Sequence, residues 1–155
     1  MESPEPLDLT DRMFPTVTII AALGCGMMAG VFFAFSAMVM PGLRRAEPAE
    51  GIAAMRSINT AVVNPAFVGL FLGTAVVGVV AAFEGDPWAW AGAALYVLGG
   101  IVLTAAFHIP RNNELERLGT PEYWERYLRE WVPANHARAL LSLAASASFV
   151  LAVLY

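Results

Sequence analysis

"WVPANHARALLSLAASASFVLAVLY", residues 131–155, decides how this chain is read. From Ala139 onward it contains no Asp, Glu, Lys or Arg, but that run is only 17 residues long. A helix crossing a bilayer needs roughly 20 residues at about 1.5 Å each. A span built here must therefore begin near Ala134 and take in His136 and Arg138. Charge at the start of a membrane helix is costly unless something holds it, so the segment that completes the fold also raises the question of a site.

Three more stretches lack acidic and basic residues for long enough to span: Met13–Leu43, Ser57–Phe83 and Pro87–Pro110. Composition agrees. Apolar residues make up 58% of the 155 and charged residues 14%, with a mean hydropathy of +0.61. Soluble domains carry about 45–50% and about 25%. The expected fold class is therefore all-α, an integral membrane four-helix bundle with spans at about 14–40, 60–83, 87–109 and 134–155. Residues 1–12 form an acidic leader (Glu2, Glu5, Asp8, Asp11), and 13–155 form a single domain. The first run is long, follows that acidic leader and has no clear small-residue cleavage site, so it reads as a span and not as a cleaved signal. Cys25 is the single cysteine, which leaves no internal disulfide and no multi-cysteine metal site.

There is no lysine, and eight of the nine arginines fall on one side of the four runs. Arg44, Arg45 and Arg56 lie between runs one and two. Arg111, Arg117, Arg126 and Arg129 lie between three and four, with Arg138 just beyond. The other side has only Arg12. The positive-inside rule places both arginine loops in the cytoplasm and both termini outside, in an inner membrane. The same loops are acidic too, so they read as a solvated membrane edge and not as a nucleic-acid surface.

Each loop carries a short amphipathic helix. In "AEPAEGIAAMRSIN" (46–59), Ile52, Met55 and Asn59 share a helical face that leads to Pro65, a kink or a new first turn. In "TPEYWERYLREW" (120–131), Thr120 can cap, Pro121 suits the first turn, and Trp124, Leu128 and Trp131 follow at helical spacing. Glu122–Arg126 and Glu125–Arg129 are i,i+4 pairs. This helix is expected to lie in the headgroup layer, aromatic face down, so losing Trp124 would loosen it without disturbing the bundle. Small residues four apart (Gly26 and Gly30, Gly69 and Gly73, Ser142 and Ser146) mark expected packing faces. A homo-oligomer stays open.

Polar residues collect at the arginine-rich ends of the spans. Ser36 closes the first and Asn59 and Asn64 open the second. His108 ends the third, with Asn112 beyond it, and Asn135, His136 and Arg138 open the fourth. Individually these are common cap, snorkel and solvation positions. Beside them lie Phe32, Phe35 and Phe67, so the same end can form an apolar pocket with a few directional groups at its mouth. Such a shape fits a flat hydrophobic molecule that partitions into the bilayer.

"FSAMVMPGL" (35–43), "MRSINTAVVNPAF" (55–67), "HIPRNNEL" (108–115) and "WVPANHARAL" (131–140), in that order, resemble the anthrone oxygenase-like membrane family. Many bacterial members of that family are filed only as a domain of unknown function. The resemblance runs from about residue 14 to 155. It implies four membrane helices and, for fungal relatives, oxidation of an anthrone to an anthraquinone by O₂ without an established cofactor. The family's Trp–Asn–Arg motif falls on Asn135 and Arg138, its Pro-x-Asn on Asn112 and its Ile-Asn pair on Ile58 and Asn59. His108 departs from the pattern, which has asparagine at that place.

On this reading a base removes the acidic C–H proton of the anthrone, and His136 is the first candidate because histidine titrates near neutrality. Arg138, Asn135 and Asn59 stabilise the oxyanion, and O₂ is the co-substrate. Asn135 and Arg138, three apart, share a helical face. His136 points roughly 200° from Arg138 and reaches the pocket only from its rim. Two other readings stay open: a haem or metal held between His108 and His136, and a non-enzymatic accessory subunit that docks a partner at its polar end. Transport ranks last, since the spans hold no carboxylate or lysine.

Orientation is directly testable. A cysteine placed at Gly85, in the tight turn opposite the arginine loops, should react with an impermeant label from outside the cell. Labelling only after the cytoplasm is opened would reverse the topology.

Overall fold

A computed structural model describes residues 9–155, with side chains from Met13 onward. The leader expected at 1–12 lies outside the described residues, apart from helical backbone at 9–12. The first helix, α1 (Leu9–Ala34), passes through a π turn (Phe35–Val39) into α2 (Met40–Arg45). There follow α3 (Pro48–Ala61), α4 (Pro65–Ala82) and α5 (Pro87–Tyr96). Two further π turns, Val97–Val102 and Thr104–His108, carry α5 into α6 (Ile109–Leu118), and α7 runs from Pro121 to Leu154.

The helix starts follow from local chemistry. A proline opens α3, α4, α5 and α7, where its missing N–H would have had no helical partner in any case. The preceding side chain caps three of these helices. Asn64 accepts from Phe67 N–H, Asp86 from Trp88 and Ala89, and Thr120 from Tyr123. Gly119 ends α6 with φ +56°, a left-handed cap that glycine adopts without penalty.

Four helical segments among the described residues are long and apolar enough to cross a membrane: Met13–Leu43, Pro65–Ala82, Pro87–Leu118 and Pro121–Leu154. The bundle is the expected all-α one, and its third and fourth helices run on beyond the apolar runs. The third segment does not stop near 109; it continues through α6. The fourth starts at Pro121, because "TPEYWERYLREW" is not a separate surface helix but the first third of α7. Pro133 lies inside α7, where it removes one backbone hydrogen bond without ending the helix.

The aromatic face of that segment is also turned differently from the sequence expectation. Tyr123, Trp124, Tyr127 and Trp131 are buried with Met40, Ile52, Met55 and Leu115 in a second hydrophobic cluster at the arginine-rich end. They meet α3 and α6, not lipid headgroups. Burying four aromatic rings against protein removes more apolar surface from water than resting them at an interface. Of the expected ion pairs, Glu125–Arg129 forms at 3.9 Å, but Arg126 pairs with Glu130 (2.8 Å), which also receives Arg111 from α6 at 2.8 Å.

The first cluster fills the body of the bundle with Ala21, Cys25, Met28, Ala81, Ala93, Tyr96, Ala145 and Phe149. Its close contacts come mostly from glycines other than those singled out by spacing. A Cβ on Gly24 would overlap Thr74, one on Gly92 would lie 2.9 Å from the Phe149 ring, and one on Gly99 would overlap Leu141. A Cβ on Gly26 would lie 3.4 Å from the Ser146 hydroxyl, which donates to Ala22 O at 2.8 Å. Gly30, Gly69 and Gly73 have open space around them.

Trp124 tests the second cluster. Its ring is 3% exposed and fills the space left by Gly51, so Trp124→Ala should cost about 3–5 kcal/mol in a detergent unfolding titration. A loss under about 1 kcal/mol would mean that the ring sits at the membrane surface and supports no core.

Candidate functional site

A cavity of about 390 Å³ opens where the two clusters meet, near the arginine-rich end. Its walls are Phe32 and Phe35 from span one, Ile58 and Asn59 from α3, Phe67 and Phe71 from α4, Thr104, His108 and Asn112 from span three, and Trp131, Asn135 and Arg138 from α7. Apolar and aromatic side chains dominate, and a few polar groups converge on the interior, the usual make-up of a small-molecule site. Three of its residues lie in π turns: Phe35 opens one, and Thr104 and His108 open and close another. The extra residue in such a turn swings the following side chains by about 100° relative to a regular helix.

Arg138 is the most demanding group. It is 7% exposed, and no carboxylate among the described residues lies within ion-pair distance of it. Its Nη1 donates to Asn135 Oδ1 at 3.3 Å, its Cζ lies 3.8 Å from the Phe32 ring centroid, and its Nε has no partner. The Phe32 face offers a cation–π contact, which offsets only part of the cost of taking a guanidinium out of water. The side chain does not snorkel to the membrane surface.

Asn135 is fully committed. Its Nδ2 donates to Phe32 O at 2.6 Å and to Ser36 Oγ at 2.7 Å, and its Oδ1 accepts from Arg138. With both N–H groups used, Asn135 has none left to donate to an oxyanion. It ties α7 to the end of α1 and aims the guanidinium. Ser36 belongs to this tie and does not line the cavity.

His108 is 1% exposed. Its Nδ1 lies 3.2 Å from Leu103 O, and its Nε2 has no hydrogen-bond partner. A carbonyl can only accept, so in that hydrogen bond Nδ1 carries the proton and Nε2 the lone pair, on a ring that also lies against the Trp131 backbone. The ring stands edge-on to Trp131 at 5.0 Å. Asn112, one helical turn on, accepts at Oδ1 from Tyr127 Oη (2.7 Å) and Trp131 Nε1 (3.2 Å). Its Nδ2 makes no other hydrogen bond to the described protein. Tyr127 also meets the side chain of Asn59.

Eight of the eleven residues expected from sequence therefore share one cavity: Arg138, Asn135, Asn59, Asn112, His108, Phe32, Phe35 and Phe67. Three do not. Ser36 lies behind Asn135. Asn64 is exposed and caps α4. His136 is exposed on the opposite face of α7, as its two-residue offset from Arg138 requires, so His108 and His136 do not face a common space that could hold a haem. No group of three or more His, Cys, Asp or Glu with metal-site geometry occurs among the described residues. Trp131 is a cavity residue absent from the sequence expectation, although Trp131, Asn135 and Arg138 stand at i, i+4 and i+7, the signature of one helical face. His108, and not the expected His136, faces the cavity, and its i,i+4 spacing from Asn112 on one face is the signal for it.

The family model of anthrone oxygenase matches residues 53–148, more than half of the chain. The match includes the segments holding Asn59, His108, Asn112, Trp131, Asn135 and Arg138, and leaves out Phe32, Phe35 and Ser36 of span one. No curated protein and no solved structure matches. With three of the four sequence motifs inside the match and their polar residues gathered around one cavity, the chain belongs to the anthrone oxygenase family.

Proposed function

We propose that this protein is a membrane oxygenase that oxidises an anthrone-type substrate, a flat aromatic molecule with an acidic C–H, using O₂ at the cytoplasmic end of the bundle. The observation that carries the proposal is Arg138: a buried guanidinium with no carboxylate partner among the described residues, in an aromatic cavity that also holds a histidine whose Nε2 has no hydrogen-bond partner. A buried guanidinium favours a ligand that becomes anionic beside it, and an anthrone does so when deprotonated.

The chemistry balances without another reactant. His108 Nε2 takes a proton from the methylene carbon, and the electron pair left behind delocalises onto the carbonyl oxygen across the ring as an anthrolate. Arg138 stabilises that oxyanion, with Asn112 Nδ2 as a second donor. The electron-rich anthrolate passes one electron to O₂, and the resulting radicals combine at the same carbon to give a peroxide. Proton return and loss of the second methylene hydrogen cleave the O–O bond, leaving a quinone carbonyl and one water. The substrate supplies the electrons and O₂ takes them, so this scheme calls for no bound cofactor. Phe32, Phe35, Phe67, Phe71 and Trp131 supply flat apolar walls and keep bulk water from the anion.

This assigns the base to His108 and leaves His136 outside the chemistry. His108→Gln should lower turnover of anthrone by about 10²–10⁴-fold. Arg138→Lys, which keeps the charge but loses the planar fork, should lower it by about 10²–10³-fold. His136→Gln should stay within about twofold of the parent. Quinone absorbance follows the reaction, and a melting curve of each variant checks folding. A His136 variant more impaired than the other two would overturn the assignment. A correctly folded parent that does not oxidise anthrones would overturn the function.

A further inference from the structure

The cavity has three closed sides and one open one. Towards the arginine-rich end it is sealed by the second cluster, in which Met55 (1% exposed) and Trp131 (4%) separate it from Tyr127, Leu115 and Trp124. That seal is fastened from outside, where Arg56 Nη2 on α3 donates to Leu115 O on α6 at 3.0 Å. Towards the middle of the bundle, Phe71 and the buried Tyr96 close it, the Tyr96 hydroxyl donating to Phe71 O at 3.0 Å. On the α1–α7 side stand Phe32, Asn135 and Arg138, all buried.

The fourth side is different. Val63, Val68 and Ile109 line the cavity and yet are 77%, 36% and 47% exposed on the outer surface. They belong to the α3–α4 junction, the first turn of α4 and the first residue of α6. Here the backbone itself separates. Val62–Asn64 leaves the helix, Asn64–Pro65 starts a new one, and α4 packs on α1, α5 and the first π turn of span three, away from α6. Asn113, exposed on the next turn, marks the rim nearest the arginine loops. A rim of valine and isoleucine is poorly suited to water and well suited to hydrocarbon.

We infer that the cavity receives its ligand sideways from the bilayer, through a window between the start of α4 and the end of span three framed by Val63, Val68 and Ile109. This rests on the proposed function for the kind of ligand but not for the route. A flat apolar molecule dissolved among acyl chains reaches Arg138 and His108 without crossing water or parting the aromatic seal. The window residues control passage and make no bond to the ligand when it is seated.

Two measurements test the route. In phosphatidylcholine vesicles under nitrogen, anthrone association is followed by quenching of protein fluorescence. Val63→Trp and Val68→Trp should slow both association and release by tenfold or more, since an obstructed passage slows both, whereas a lost wall contact would speed release. Leu72→Trp, exposed on the same helix but outside the cavity, should change neither. Unaltered rates in the first two variants would overturn the window. The second measurement needs no ligand. A nitroxide on Phe67→Cys, with native Cys25 fully buried and unreactive, should collide often with membrane-dissolved O₂ and rarely with a water-soluble nickel chelate. The reverse pattern would show the cavity open to water and reject the inference. If anthrone fails to bind the parent while the nitroxide reads as lipid-exposed, the ligand class is wrong and the route stands.

Discussion

One buried charge constrains the rest of this molecule. Arg138 lies at the start of the fourth apolar run, is almost entirely enclosed, and has no carboxylate among the described residues to neutralise it. A guanidinium in such a place is tolerated only when its surroundings are fixed around it. The fixing is done by Asn135, which faces the cation with its carbonyl and spans to α1 with both N–H groups. That pair of hydrogen bonds to Phe32 O and Ser36 Oγ requires α1 and α7 to run very close, and theirs is the most extensive helix contact in the bundle. Gly26, Ser146 and the hydrogen bond to Ala22 keep the two helices close further along.

Two hydrophobic clusters then share the remaining work unequally. The body of the bundle is built from alanine, glycine and a few large rings, so its helices lie near one another and leave little space. The arginine-rich end is built from large aromatics stacked in series, with Trp124, Tyr127 and Trp131 at 5.6 and 6.1 Å. Small-residue packing and aromatic packing set different helix separations. The cavity lies at the junction between them, where neither kind of packing fills the gap.

The two histidines show how one fold separates residues that look alike in sequence. His108 closes a π turn, buries its ring against Trp131 and keeps one nitrogen free. His136 lies in the motif that carries Asn135 and Arg138, yet it faces away from them. A histidine one position off a functional face belongs to the surface. One embedded in an apolar span has to be accommodated inside.

Much of this was fixed by sequence alone. Four apolar runs, the capped proline start at Thr120–Pro121, and the shared face of Asn135 and Arg138 follow from hydropathy, local hydrogen bonding and 3.6-residue periodicity, none of which depends on distant parts of the chain. The family resemblance was likewise legible in short motifs. Tertiary structure decided what those properties leave open. Whether Trp124 faces lipid or protein depends on where α3 and α6 lie. Whether Asn135 donates to a ligand or to the protein depends on Phe32 and Ser36, about a hundred residues earlier in the chain. Which histidine is available as a base depends on π turns that rotate span three and on a carbonyl that fixes the tautomer. Periodicity assigns a side chain to a face of its own helix, but only packing assigns that face a neighbour, and the free donors and lone pairs of a site are what remain once the neighbours have taken theirs.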